Sequence, residues 1–148
     1  MRTLIFCLFL FANKAHAATE FTGHWNGMGL YQSDGMLRPV DAEFDLVLAQ
    51  STSHFTIDQC WTIPMPYPEK KTSCYHSDYE IRGEQIFAKD KKIGDVFPKK
   101  ISIFRGNSQV SEFMGFELHP NRELRFRYSY SNFDGELTTQ YAQLPEAK

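Results

Sequence analysis

The chain has 148 residues and a formal net charge of −2, and 42% of it is hydrophobic and 15% aromatic. That length supports one domain with its own core. The acidic balance argues against generic nucleic-acid binding, which needs a positive field, and beyond the N-terminal segment no apolar run is long enough to cross a membrane as a helix.

Residues 1–17 read as a secretory signal. Arg2 is a short basic start, Leu4 to Ala12 an apolar run, and Ala15-His16-Ala17 an A-x-A cleavage site. Cleavage after Ala17 is expected to leave a single domain, residues 18–148, secreted or periplasmic, with 14 basic and 18 acidic residues and a net charge of −4. Cys7 leaves with the signal, so Cys60 and Cys74 are expected to form a disulfide in an oxidising compartment.

The mature chain is punctuated by turn residues: Ser33-Asp34-Gly35, Pro64 to Pro68, Lys92-Ile93-Gly94, Gly106-Asn107, His119-Pro120-Asn121 and Asp134-Gly135. Between them apolar and polar residues alternate. Val40, Ala42, Phe44, Leu46 and Leu48 share one face, with Asp41, Glu43 and Asp45 on the other. Tyr75, Tyr79 and Ile81 oppose His76, Asp78 and Glu80. Val110 to Leu118 fits helical spacing as well, but Gly115 weakens a helix, and a strand with Val110, Met114, Phe116 and Leu118 inward is the better fit. Leu124, Phe126, Tyr128 and Tyr130 oppose Arg125, Arg127 and Ser129, and Glu136 to Gln143 is the last candidate strand. Period-two alternation with regular turns predicts an all-β protein, an antiparallel up-and-down barrel of about eight to ten strands with little or no helix.

The first strand contains Phe21, Gly23 and Trp25 on one face, a Gly-x-Trp close to the mature start. This resembles the opening of the calycin superfamily, which holds lipocalins, fatty-acid-binding proteins and avidins. The resemblance implies an eight-stranded barrel with Trp25 as a plug at one end and Gly23 letting the backbone curl. It also implies a basic residue on the last strand, packed over the tryptophan, and a C-terminal helix. The Glu136–Gln143 strand holds no Arg or Lys, and Leu144 to Lys148 is too short for a helix.

No catalytic set stands out. There is no G-x-S-x-G elbow, and His24, His54, His76 and His119 lie apart without metal-ligand spacing and read as surface residues. No metal and no cofactor is expected, and an enzyme ranks low. The better lead is aromatic. Trp25, Trp61, Tyr75, Tyr79, Phe126, Tyr128, Tyr130 and Tyr141 are assigned to inward faces, with Gln59 and Glu112 at the same parity.

Two functions follow. In the first, Gln59, Trp61, Tyr79, Glu112, Tyr128 and Tyr130 line one cavity, open opposite Trp25, for a small apolar or amphipathic ligand. Glu112 supports it, because an inward carboxylate needs a partner. In the second, the protein is an envelope accessory or inhibitor module that binds another protein through loops such as Ile63 to Ser73, where Pro64, Met65, Pro66, Tyr67 and Pro68 form a stiff apolar segment. The interior separates them: a void no larger than a water molecule or two removes the first and favours the second. A membrane-spanning β-barrel ranks third, since the Asp41–Asp45 strand carries an acidic face.

Overall fold

The computed structural model describes residues 20–63 and 71–148. The expected signal and the Pro64–Pro68 stretch fall outside the described residues. Ten strands follow one another: β1 (Gly23–Gln32), β2 (Val40–Gln50), β3 (His54–Ile63), β4 (Lys71–Arg82), β5 (Gln85–Ala88), β6 (Lys91–Phe97), β7 (Lys100–Gly106), β8 (Val110–Leu118), β9 (Leu124–Asn132) and β10 (Leu137–Leu144). Each pairs antiparallel with the next, and β1 pairs with β10, so the meander closes into an up-and-down barrel. The count is the top of the expected range, not the eight that the resemblance implies.

Alternation explains the wall. Along β2, every second residue from Ala42 to Gln50 is buried and the residues between are exposed. Val110–Leu118 is a strand, with Met114, Phe116 and Leu118 buried. The outer wall carries Asp41, Glu43, Asp45, Asp58, Lys100, Arg125 and Arg127. A barrel crossing a membrane with its strands needs the reverse, an apolar exterior.

The half of the interior nearest Trp25 is filled. Four aromatic rings cross it: Phe44 to Phe126 at 6.1 Å, Phe126 to Phe116 at 5.4 Å and Phe116 to Phe55 at 5.7 Å between centroids. Leu46, Ile57, Ile86, Ile101, Ile103 and Leu124 pack around them with almost no exposure.

Trp25 is fully buried at the end of this core. Gly23 makes room for it: a Cβ there would stand 2.7 Å from the indole Cη2. A cation does lie over the indole, but its source differs from the implied one. Arg122, in the turn between β8 and β9, places its guanidinium 5.6 Å from the ring centroid. The indole N–H donates to the Arg122 carbonyl at 2.9 Å. Arg122 also donates to Glu146 at 2.6 and 3.0 Å and to the carbonyls of Glu20 and Thr22 at 3.0 and 3.2 Å. Its φ of 62° is unusual outside glycine and is held by these contacts. The seam between β1 and β10 has only four register pairs, Gly29 to Gln32 against Thr139 to Ala142, against nine between β1 and β2. Below those pairs the seam is continued by the Arg122 contacts and by the Ala147 N–H donating to the His24 carbonyl at 2.7 Å.

Three local expectations are corrected. Lys92-Ile93-Gly94 is no turn: it lies inside β6, and the chain turns at Lys89–Asp90. Gly94 serves a close approach, since a Cβ would fall 2.2 Å from the Ser102 carbonyl oxygen. Tyr141 faces outward, opposite Leu30 and Arg127, because the inward set on β10 is Gln140, Ala142 and Leu144. His24, His54 and His76 are exposed, but His119 is half-buried and its Nε2 has no partner.

Candidate functional site

The loops that follow odd-numbered strands all leave the barrel opposite Trp25, and the interior changes character toward that loop end. Above the aromatic layer the inward residues are Gln59 and Trp61 on β3, Tyr75 on β4, Arg105 on β7, Glu112 on β8, Tyr128 and Tyr130 on β9, and Gln140 on β10. The strand pairing makes this inevitable. Gln59 stands opposite Tyr75, Arg105 opposite Glu112, and Glu112 opposite Tyr130.

Two polar groups cross the barrel here. The Gln59 amide donates to the Gln140 Oε1 at 2.6 Å, both residues being only 3% exposed. The Arg105 guanidinium lies 2.6 Å from Glu112 Oε2 and donates to the Tyr75 hydroxyl at 2.8 Å. It also sits 5.8 Å from the ring centroids of both Tyr75 and Tyr79. The Ser77 hydroxyl donates to Tyr75 at 2.6 Å, and the Tyr75 and Tyr79 hydroxyls are 2.8 Å apart. Tyr75 thus accepts from both Arg105 and Ser77.

Burial pushes the Tyr79 phenol well above its ordinary range, and its hydrogen bond with Tyr75 adds to the shift. Burial does the same to Tyr128, helped by the negative charge of Glu112, with which it hydrogen-bonds. Both phenols therefore stay protonated and act as neutral hydrogen-bonding groups.

The pocket between these residues is small. It measures about 30 Å³ and is lined by Gln59, Trp61, Tyr75, Met114, Tyr128 and Gln140. That is space for about two water molecules. Of the expected lining, Gln59, Trp61 and Tyr128 are brought together; Tyr79, Glu112 and Tyr130 do not border it. The Trp25 half of the interior offers no space for a ligand, since Phe44, Phe55, Phe116 and Phe126 fill it.

Glu112 also changes meaning. The partner that an inward carboxylate requires is Arg105, one strand away, so no ligand is needed to satisfy it. Glu112→Leu would accordingly strand a half-buried arginine instead of relieving a buried charge. Arg105 was legible at the parity of Ile101 and Ile103, yet only the β7–β8 register shows that it meets Glu112.

The disulfide is in place. Cys60 and Cys74 face each other on β3 and β4, with Cα atoms 4.1 Å apart. The strands run past it to Ile63 and Lys71, so it clamps the base of the β3–β4 connection. On the same rim, Leu37 is fully exposed and Phe133 is 83% exposed. Among the described residues, no three histidine, cysteine or carboxylate side chains come together to hold a metal ion, and no helix is long and apolar enough to cross a membrane. No protein-family model and no curated protein matches this chain.

Proposed function

We propose that the protein is a secreted or periplasmic recognition module that binds another protein through the loop end of its barrel. The observation that carries this reading is the tight interior: among the described residues, the pocket beside Gln59 and Gln140 measures about 30 Å³, room for about two waters. The rim supports it. Leu37 and Phe133 project from adjacent loops, β1–β2 and β9–β10, and half-exposed Leu137 continues the apolar surface below them. Exposed apolar groups on loops, held by a rigid scaffold, are the usual form of a contact surface. The β3–β4 connection, clamped by Cys60–Cys74, leaves the barrel at the same end. Kinship with the calycins belongs to this proposal too: Gly23, Trp25 and the cation over the indole speak for it, the tenth strand against it.

A photo-crosslinking residue at Leu37 or at Phe133, compared with one at Phe97, tests the reading in the native compartment. Phe97 is 48% exposed but lies at the Trp25 end. The expected result is one discrete adduct from both rim positions and none from Phe97. Equal yields from Phe97, or none from the rim, would sink it.

One observation favours a second reading. The paired Gln59 and Gln140 amides border the cavity. These groups, with Trp61 and Tyr128 beside them, suit the polar tip of a small ligand entering from the rim. Native mass spectrometry separates the two: a retained small molecule that disappears in Gln140→Leu would favour the ligand over the protein partner.

A further inference from the structure

The charge pattern of the chain reverses on the outer wall of β7, β8 and β9. Lys100, Glu117 and Arg125 stand in one row across the three strands. Ser102, Gly115 and Arg127 form the next row, and Phe104 and Phe113 the one above. Gly115 leaves the centre of its row without a side chain. The Phe113 ring leans over that position, its Cζ 3.0 Å from where a Cβ would be. The result is a groove of about 140 Å³ bounded by Lys100, Ser102, Phe113, Glu117, Arg125 and Arg127.

Its donors are under-used. The Arg125 Nε is buried without an acceptor. The Arg125 guanidinium reaches Glu117 only at 3.6 Å. Arg127 has a ring contact with Tyr141 at 5.7 Å, and among the described residues neither it nor Lys100 forms an ion pair. A guanidinium whose ion pair is as long as that of Arg125 keeps donor capacity that an anion could use. Three cations and one carboxylate give the groove a positive charge in a chain whose expected mature form is net acidic. The acidic stretch Asp41, Glu43 and Asp45 lies on β2, across the closed barrel, so this wall holds a local positive field.

We propose that this groove binds a small ligand that carries an oxyanion on a flat apolar ring. Arg127, Lys100 and the outer guanidinium nitrogens of Arg125 receive the oxyanion, because guanidinium forks match phosphate, sulfate and carboxylate geometry. The Ser102 hydroxyl adds a donor from the opposite side of Gly115. The ring lies against Phe113 and Phe104, the latter 60% exposed. The site is independent of the loop end and of the interior cavity.

Titration of the mature protein at low ionic strength, read by amide chemical shifts, tests the proposal with phenyl phosphate, inorganic phosphate and phenol as probes. Phenyl phosphate is expected to saturate one site on β7–β9 and to bind at least about fivefold tighter than phosphate, with phenol not saturating. Arg127→Gln should weaken it at least about tenfold, and Glu117→Gln should tighten it. Ser102→Glu, which leaves every cation in place, should abolish saturation. All three positions are on the outer wall, so unchanged thermal midpoints would show that folding is intact. Absence of saturation, equal affinity for phosphate and phenyl phosphate, or wild-type affinity in Arg127→Gln would each overturn the proposal.

Discussion

Trp25 shows how one residue can be held from three directions. Gly23 yields space beneath the indole, the Arg122 carbonyl takes its N–H, and the Arg122 guanidinium covers its face. Trp25→Ala should cost about 3–5 kcal/mol, as a large-to-small change in a packed core. Chemical denaturation measures it, and a loss under about 1 kcal/mol would mean that the indole is no plug. The tyrosines give a second expectation at this scale. Tyr79 and Tyr128 titrate above the ordinary phenol range when folded, chiefly through burial. Below about pH 10 both states keep these protons; above it the unfolded chain loses them first. Stability should therefore be intact below about pH 10 and fall as the pH climbs further. Tyr79→Phe should flatten that decline in urea titrations at stepped pH; an unchanged slope would remove Tyr79 as its source.

At the scale of the element, alternation made the fold readable. β2, β4, β8 and β9 each show one wet and one dry face in sequence, and even β8, with its competing helical spacing, was decided by Gly115. What alternation does not carry is which residue on one strand meets which on another. Arg105 and Glu112 are seven positions apart and face each other only because of the β7–β8 register. Arg122 was hidden for a different reason: it lies in a turn, where side-chain direction has no period. Gly94 misled because glycine serves close packing in a strand as readily as it serves a turn. The disulfide belongs to this scale as well. It ties positions 14 apart on β3 and β4, and its loss should cost about 3 kcal/mol in the chain-entropy picture. Intact mass with and without reductant, alongside denaturation of Cys60→Ser/Cys74→Ser, checks both the bond and its weight. Two free thiols on the native protein would contradict it.

Across the whole molecule, the interior is divided along its axis, with apolar rings toward Trp25 and polar crossings toward the loops. The outer wall is divided around its circumference, acidic on β2 and basic on β7 to β9. Neither division is visible in a net charge or a mean hydropathy, since each averages to an ordinary value. They follow from which strand each residue occupies and how far along it the residue stands. The division along the axis leaves the rim as the end where contact with a partner involves the least rearrangement of the core.

The short β1–β10 seam bears on the order in which the barrel assembles. Every other pairing joins neighbours in sequence and closes through a short loop, which is fast; the seam must bring together residues more than a hundred positions apart. It is thus the natural last step of folding and the first to open. While it is open, β1 and β10 are bare strand edges, able to pair with another chain. Arg122 and Glu146 act only once the two ends have met, so their contacts belong to the far side of the folding barrier. Arg122→Ala should accordingly speed unfolding about tenfold and leave the folding rate nearly unchanged. Stopped-flow refolding and unfolding arms separate the two, and a slowed folding arm would place seam closure before the barrier instead of after it.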